Sequence, residues 1–358
     1  MTLSTMRSER SHFGMKLRNQ EQRMQSRRTF LKMISAATVG GTFHVQAVNA
    51  ATPAGKTNAW PTKPITVYHP FEPCPYDKLS NVYNAELSKV LGVPVSFEYG
   101  LMGRAAREVH DGPADGTRVY FAALGPMVLK PNVAPGGKAL KPSDFRAVCR
   151  ATLLPIVVVA SKNAPFKTFK EFEAYAKSHP GKVRVALTNF PSSIHSGMTH
   201  FLKNVAKLDC ELVTQPTSPL DGAIDTLTGV TDVLITHTPD AERFVKHGDF
   251  VVLCTFHKTR LPMLPDVPTL HDLGYDYDQT SWRCIVVNKD TPDEIVERLA
   301  EATKKVFATE AMKKSAEENW EPLSFLPPAE TQQFLEDELR FYEKLTKTLG
   351  IHHSQKKA

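Results

Sequence analysis

The sequence predicts an α/β protein with mostly parallel sheets, folded as two lobes. Three observations carry this expectation. Short apolar runs of strand character alternate with segments whose apolar residues recur at helical spacing, the pattern of β–α–β units. Two long apolar runs, near 155–160 and 282–287, flank a middle block with the same alternation, as in a chain that crosses to a second lobe and returns. At 358 residues the chain can bury a core in each lobe.

The first fifty residues stand apart. Arg7, Arg10, Lys16, Arg18, Arg23, Arg27, Arg28 and Lys32 face only Glu9 and Glu21, so this segment carries the whole formal charge of +6. The rest of the chain is formally neutral, which argues against a nucleic-acid partner. "SRRTFLK" (Ser26–Lys32) precedes an apolar run from Met33 to Val48 that Gly40, Gly41 and His44 interrupt. That run is too short and too weakly apolar for a membrane-spanning helix, and with the small residues around Ala47, Ala50 and Ala51 it reads as an export signal. "SRRTFLK" resembles the twin-arginine (Tat) signal at every position of its core, so residues 1–50 are expected to be a cleaved signal peptide. The mature protein then begins near Ala51, in the periplasm, and the Tat translocase is a partner during export.

After the linker-like "ATPAGKTNAWP", Ile65–Tyr68 reads as a strand. Leu79, Val82, Tyr83, Leu87, Val90 and Leu91 form one helical stripe, with Asp77 as N-cap and Gly92 as C-terminal stop. "VPVSFEY" and "RVYFAAL" are strands separated by the helical "GRAAREVH", and "LLPIVVVA" (Leu153–Ala160) lacks alternation, as in a strand covered on both faces. Thr168 and Glu171 make a capping box before "FKEFEAYAKSH". "KVRVAL" is a strand, "TNFPSS" a turn, and Ile194, Met198, Phe201, Leu202 and Val205 one helix face. "DVLIT", "FVVLCTF" and "SWRCIVVN" supply further strands; Thr291-Pro292 opens a helix as N-cap and first-turn proline, and a last helix runs from Thr331 to about Leu349. On this reading lobe 1 comprises 51–160 and 281–358, and lobe 2 comprises 161–280.

Catalytic signatures are missing: there is no GxSxG, HExxH, Walker A or complete dinucleotide fingerprint. The five cysteines, Cys74, Cys149, Cys210, Cys254 and Cys284, have no metal-ligand spacing, and the histidines are scattered, so no metal or cofactor is expected. Cys149, Cys254 and Cys284 lie in apolar runs and read as buried thiols, whereas Cys74 lies in the opening turn. The chemical pattern that remains is a set of polar turns after strands: Phe71–Tyr76, Tyr99–Arg104, Thr188–Ser193 with His195 beyond it, and Thr236–Thr238. In open α/β sheets such turns converge on a ligand crevice, and hydroxyls with free backbone N–H groups suit a small anion. Any one of them also reads as an ordinary helix cap; four together favour a site.

"WPTKPITVYHPFEP", "HDGPADGTRV", "HPGKVRVA", "TGVTDVLI", "RLPMLPDVPTLHDLGYDY", "TSWRCIVVN" and "TPDEIVERLAEATKKVF", in this order, resemble the substrate-binding proteins of tripartite tricarboxylate transporters, the Bug family. The similarity covers nearly all of 60–350. It implies a two-lobed periplasmic binding protein of type II (Venus flytrap) that closes on a small carboxylate and delivers it to the transporter's membrane subunits, acting as a monomer and not as an enzyme. In such proteins the turn after the first strand holds a carboxylate with its amides, and "LTNFPSSIH" matches the second lobe's turn with Ser192 and His195.

The ligand-facing turns depart from the family's pattern. Where the family has Pro-Phe-Pro-Pro-Gly-Gly-Ser-x-Asp, this chain has "PFEPCPYDK"; Cys74 and Pro75 replace the glycines and Tyr76 the small hydroxyl residue. Pro75 has no N–H to offer an anion, while Cys74 and Tyr76 narrow the turn and offer a thiol and a hydroxyl. "YGLMGRA" brings Arg104, "QPTSP" stands in the next turn, and Thr236-His237 replaces an Asp-Asn pair. The expected ligand-binding residues are therefore Glu72, Cys74, Tyr76, Arg104, Thr188, Asn189, Ser192, Ser193, His195, Thr236 and His237. Two other readings compete: a periplasmic ligand sensor for a signalling partner, and a Tat-exported enzyme using Cys74 and His195.

Overall fold

Each strand-and-helix alternation read from the sequence becomes a β–α unit. The structure is a computed structural model that describes residues 60–71, 77–187, 192–214 and 219–355. In chain order it comprises β1 (Ile65–His69), α1 (Asp77–Leu91), β2 (Val95–Tyr99), α2 (Arg104–His110), β3 (Arg118–Ala123), α3 (Lys130–Val133) and the long β4 (Phe145–Ser161). There follow α4 (Phe169–Ser178), β5 (Arg184–Leu187), α5 (Ser193–His200), β6 (Glu211–Thr214), α6 (Pro219–Leu227), β7 (Val233–His237), α7 (Thr238–Lys246) and β8 (Phe250–Thr255). The chain returns through β9 (Thr280–Asn288) and ends with α8 (Asp293–Phe307), α9 (Glu310–Glu318), β10 (Leu323–Leu326) and α10 (Pro328–Thr348).

The strands run in the order β2-β1-β3-β9-β4-β7-β5-β6, with β8 and β10 also pairing with β4. The fold is α/β and two-lobed, with a parallel set of three strands in each lobe: β1 lies between β2 and β3, and β5 between β6 and β7. The crossing strands add antiparallel pairs. Phe145–Pro155 of β4 pairs with β9, whereas Ile156–Ala160 pairs with β7, so one strand serves both lobes.

Alternation along the strands assigns two cores to each lobe. In the first, Ile65, Val67, Val119, Phe121, Ile285 and Val287 pack against α1 and α8. On the opposite face Tyr68, Tyr120, Ala122, Trp282, Cys284 and Val286 meet α2 and α10. In the second lobe, Ile156, Val158 and Ala160 face α4 and α5, while Val157 and Val159 face α6 and α7. This is the two-sided burial that the unalternating "LLPIVVVA" implies.

Local signals account for most element ends. Thr168 and Glu171 form the expected capping box on α4. Gly92, at φ +71°, ends α1 in the left-handed region that favours glycine. At α8 the expectation fails: Pro292 itself occupies the N-cap, and Thr291 Oγ1 is buried without a hydrogen-bond partner among the described residues. β4 begins eight residues before the apolar run, because Arg146 and Arg150 interrupt the pattern yet satisfy their guanidinium groups at the sheet margin, on the Thr291 carbonyl and on Ser324. Cys149, Cys254 and Cys284 are buried free thiols, and burial pushes each above the ordinary thiol range. Among the described residues no helix is long and apolar enough to cross a membrane. Residues 1–50, expected from the sequence to be a signal peptide, lie outside the described residues.

Candidate functional site

The strand register brings the carboxyl ends of both parallel sets to one short stretch of β4. Ala123, the last residue of β3, stands opposite Arg283, and Arg283 stands opposite Thr152. His237, the last residue of β7, stands opposite Ile156. Only four positions of β4 separate the two ends, the place where α/β folds bind ligands.

Polar side chains are concentrated and buried along this line. Arg283 is 5% exposed and Glu321 is 1% exposed, and His69, Thr152, Thr236 and Thr238 are also buried. The Arg283 guanidinium carbon lies 5.3 Å from the centroid of the Phe71 ring, which is itself 39% exposed. His69, at the end of β1, stacks on Phe121 at 5.0 Å and tilts over Phe97 at 5.1 Å. Thr152 Oγ1 donates to Glu321 Oε1 at 2.8 Å. His69 Nε2 and Glu321 Oε2 are buried with no hydrogen-bond partner among the described residues.

The electrostatics follow from burial around one cation. Desolvation, reinforced by the Arg283 charge, pushes His69 and His237 down to about 3, so both rings are neutral at physiological pH. Burial pushes Glu321 up to about 7, with Asp240 adding to the rise, while Arg283 and the Thr152 hydroxyl partly counter it.

The residues singled out in the sequence separate into three groups. Glu72, Cys74, Tyr76, Thr188 and Asn189 lie outside the described residues. Thr236 and His237 lie at the junction: Thr236 Oγ1 donates to Asp240 Oδ2 at 3.1 Å, and His237 Nδ1 lies 3.9 Å from the same oxygen. Ser192 caps α5, its Oγ accepting from the His195 amide at 3.0 Å. His195 is half-buried, with Nε2 3.2 Å from Thr214 Oγ1, and desolvation lowers its pKa. Arg104 is instead exposed on the first turn of α2, ion-paired with Glu108 at 3.4 Å and Glu98 at 3.9 Å.

Ser193 is buried, and its carbonyl is part of a bridge between the lobes. Gln279 Nε2 donates to that carbonyl at 2.9 Å and lies 2.8 Å from the hydroxyl of Tyr342 on α10. The bridge needs Gly197 on α5, because a Cβ there would lie 1.5 Å from Gln279 Oε1. A second tie runs from Thr238 Oγ1 to the Trp320 carbonyl, 2.7 Å away.

His69, Arg283, Glu321 and Gln279 were not among the expected site residues. A signal for Arg283 existed, a lone charge inside the apolar run "SWRCIVVN". Glu321 and Gln279 come from segments whose place in the fold depends on the strand crossing. Among the described residues no group of three or more His, Cys, Asp or Glu side chains could hold a metal ion.

Residues 138–351 match the family described as the tripartite tricarboxylate transporter family receptor, TctC. The protein BugT of Bordetella pertussis is 23% identical over 328 residues, covering 89% of this chain and 99% of BugT. Among solved structures, an R. palustris protein with adipate superposes with a TM-score of 0.71 at 22% identity, covering 82% of this chain and 99% of its own. MatC from Rhodopseudomonas palustris with bound malate superposes with a TM-score of 0.67 at 23% identity, covering 80% and 99%. The family match spans well over half of the sequence, including β4, β9 and the whole intervening lobe: the chain belongs to the tripartite tricarboxylate transporter receptor family, the Bug proteins.

Proposed function

We propose that this chain is a periplasmic solute-binding protein that captures a small organic acid between its lobes and delivers it to the membrane subunits of a tripartite tricarboxylate-type transporter. The observation that carries this reading is the family match, which covers β4, β9 and, at the polar junction, Thr152, Thr236, His237, Arg283 and Glu321. Relatives of the same fold hold malate and adipate, and a buried cation at the carboxyl ends of the strands suits an acid of that kind. The lobes divide where β4 changes partners, between Pro155 and Ile156, and again around Gln279–Ser281. On this reading the ligand-binding residues are those expected from the sequence in the turns carrying Glu72, Cys74 and Tyr76, Thr188 to His195, and Thr236-His237. Arg104 contributes at most to its rim, because two carboxylates already engage it.

Thermal unfolding of the purified protein against mono-, di- and tricarboxylates and their neutral analogues tests this reading. Acid at about 100 times its dissociation constant stabilises by roughly 2.7 kcal/mol, which raises the midpoint by several degrees. A cooperative melt that no acid shifts would overturn the carboxylate reading and favour the sensor or enzyme alternatives. Export through the Tat translocase predicts that joint replacement of Arg27 and Arg28 by lysine leaves the unprocessed chain in the cytoplasm; normal export of that variant would exclude this route.

A further inference from the structure

We propose that Gln279 is the positioning residue of the second lobe's acid-binding turn: its amide clamps the first turn of α5 to α10 of the first lobe, and the acid is held tightly only while this clamp is made. This rests on the carboxylate-binding reading above and deepens it, because the turn that ends in Ser192 and Ser193 is one of those expected to meet the acid. The clamp has a fixed root. The Gln279 backbone N–H donates to the Phe256 carbonyl at 2.8 Å, where the chain leaves the second lobe. From there the buried side chain donates through Nε2 to the Ser193 carbonyl at 2.9 Å and to the Tyr342 hydroxyl at 2.8 Å. Tyr277, two residues earlier, completes the network: its hydroxyl donates to the Gly197 carbonyl at 3.0 Å and lies 3.4 Å from Gln279 Oε1.

Stability alone does not call for this arrangement. Burying an amide costs desolvation that its hydrogen bonds only offset, whereas an apolar side chain would fill the same space without that cost. Room for the amide is made by Gly197, which weakens the interior of α5 and whose Cβ would lie 1.5 Å from Gln279 Oε1 and 2.4 Å from Nε2. What the network fixes is the place of α5 relative to the first lobe. α10 also receives the helix that follows β3: Asn132 Nδ2 donates to the Leu339 carbonyl at 3.2 Å, one turn before Tyr342. The helices after β3 and β5 are thus held on adjacent turns of one helix, and each of these segments contains a π turn, Gly125–Leu129 and Phe201–Val205. Burial keeps the Tyr277 and Tyr342 hydroxyls protonated far above the ordinary tyrosine range, so the clamp does not titrate near neutral pH. The charged or titratable groups acting on it are Glu338 on α10, Asp278 beside Tyr277 and, against the Tyr277 ring, His200 at the end of α5. Burial and the two acids raise the pKa of the carboxyl that Gln279→Glu introduces. Ionised, that carboxyl has no proton for the Ser193 carbonyl; protonated, it donates to it.

Calorimetric titration of the wild type, Tyr342→Phe and Gln279→Glu with adipate, malate and hexanoate at pH 8 and pH 6 tests the inference, with thermal melts reporting the fold of each variant. The wild type is expected to bind at least one of these acids. Tyr342→Phe, which removes only the hydroxyl, should weaken that acid roughly threefold or more at both pH values. Gln279→Glu should weaken it roughly tenfold or more relative to the wild type at pH 8, and by less than half that factor at pH 6, where the carboxyl regains its proton. A contact that only stabilises the fold would lower the melting midpoints and leave both affinity ratios near one. Wild-type binding of none of the three acids overturns the carboxylate reading and this inference with it. Where the wild type binds, a folded Tyr342→Phe variant that stays within threefold of it, or a Gln279→Glu ratio that is the same at both pH values, overturns the inference alone. Should Gln279→Glu fail to fold, Tyr342→Phe decides by itself.

Discussion

Glu321, His69 and His237 titrate in opposite senses, and this fixes how they shape stability against pH. In an unfolded chain the histidines hold their protons up to about pH 6.5, and Glu321 loses its own near 4.5. In the folded protein both rings stay neutral down to about 3, and Glu321 stays protonated up to about 7. Between pH 4.5 and 6.5 the unfolded state therefore binds one more proton than the folded state across these three groups, and stability rises with pH. From 6.5 to 7 only Glu321 differs, the folded state binds the extra proton, and stability falls. Glu321→Gln removes the falling limb and steepens the rise. Chemical denaturation should show the variant gaining on the wild type by on the order of 3 kcal/mol from pH 4.5 to 8. A constant difference across that range would mean that Glu321 is ionised throughout in the folded protein. At this scale the sequence was only partly readable. The positions of Thr236 and His237 at the end of β7, and of Ser192 and His195 at the start of α5, can be read from the apolar runs before them, whereas Arg283 and Glu321 acquire their setting from register and crossing, which no local pattern encodes. Arg104, beside two glycines in a turn, has the composition of an anion site, but Glu98 and Glu108 occupy its guanidinium.

The elements were far more legible than the site. Strands β1, β2, β3, β5, β7, β8 and β9 each coincide with an apolar run, and α1, α4, α8 and α10 with a 3.6-residue stripe, because burial on one or two faces imposes those periods directly. What escaped notice was either short or built from mixed sequence. β10 has four residues, all only partly buried, and pairs with β4 through an irregular register. The first half of β4 carries two arginines whose aliphatic stems can pack while their heads reach the sheet margin. α7 opens with Pro239 in its first turn and continues with charged residues on its outer face. Its inner residues Ala241 and Phe244 are too few to make a long stripe. Thr291-Pro292 illustrates the limit of local rules, because the proline sits one place earlier than the first-turn preference suggests and the threonine hydroxyl is turned inward.

Among the described residues the lobes are joined by β4, which pairs in both of them, by the chain's return at Gln279–Thr280, by the Gln279 bridge to Tyr342, and by Trp320, which reaches from the first lobe into the core of the second. Trp320 has a positive φ of 53°, its carbonyl accepts from Thr238, and the Lys246 ammonium lies 5.7 Å above its ring while donating to the Glu318 carbonyl at 3.1 Å. Relative rotation of the lobes must therefore be absorbed by bending β4 and β9 near Pro155 and Thr280 and by sliding or release of the Trp320 contacts. Pro155 helps, since it lacks an N–H and cannot donate a ladder bond where β4 changes partners. An acid closes the lobes only if it binds the closed arrangement more tightly; reversing a 99:1 population takes about 5.5 kcal/mol of such preference. Small-angle scattering should accordingly give a smaller radius of gyration with saturating acid than without it. Calorimetric binding with an unchanged radius would mean that the acid enters a cleft whose lobes are already fixed, with the Gln279 bridge and the Trp320 contacts acting as permanent ties.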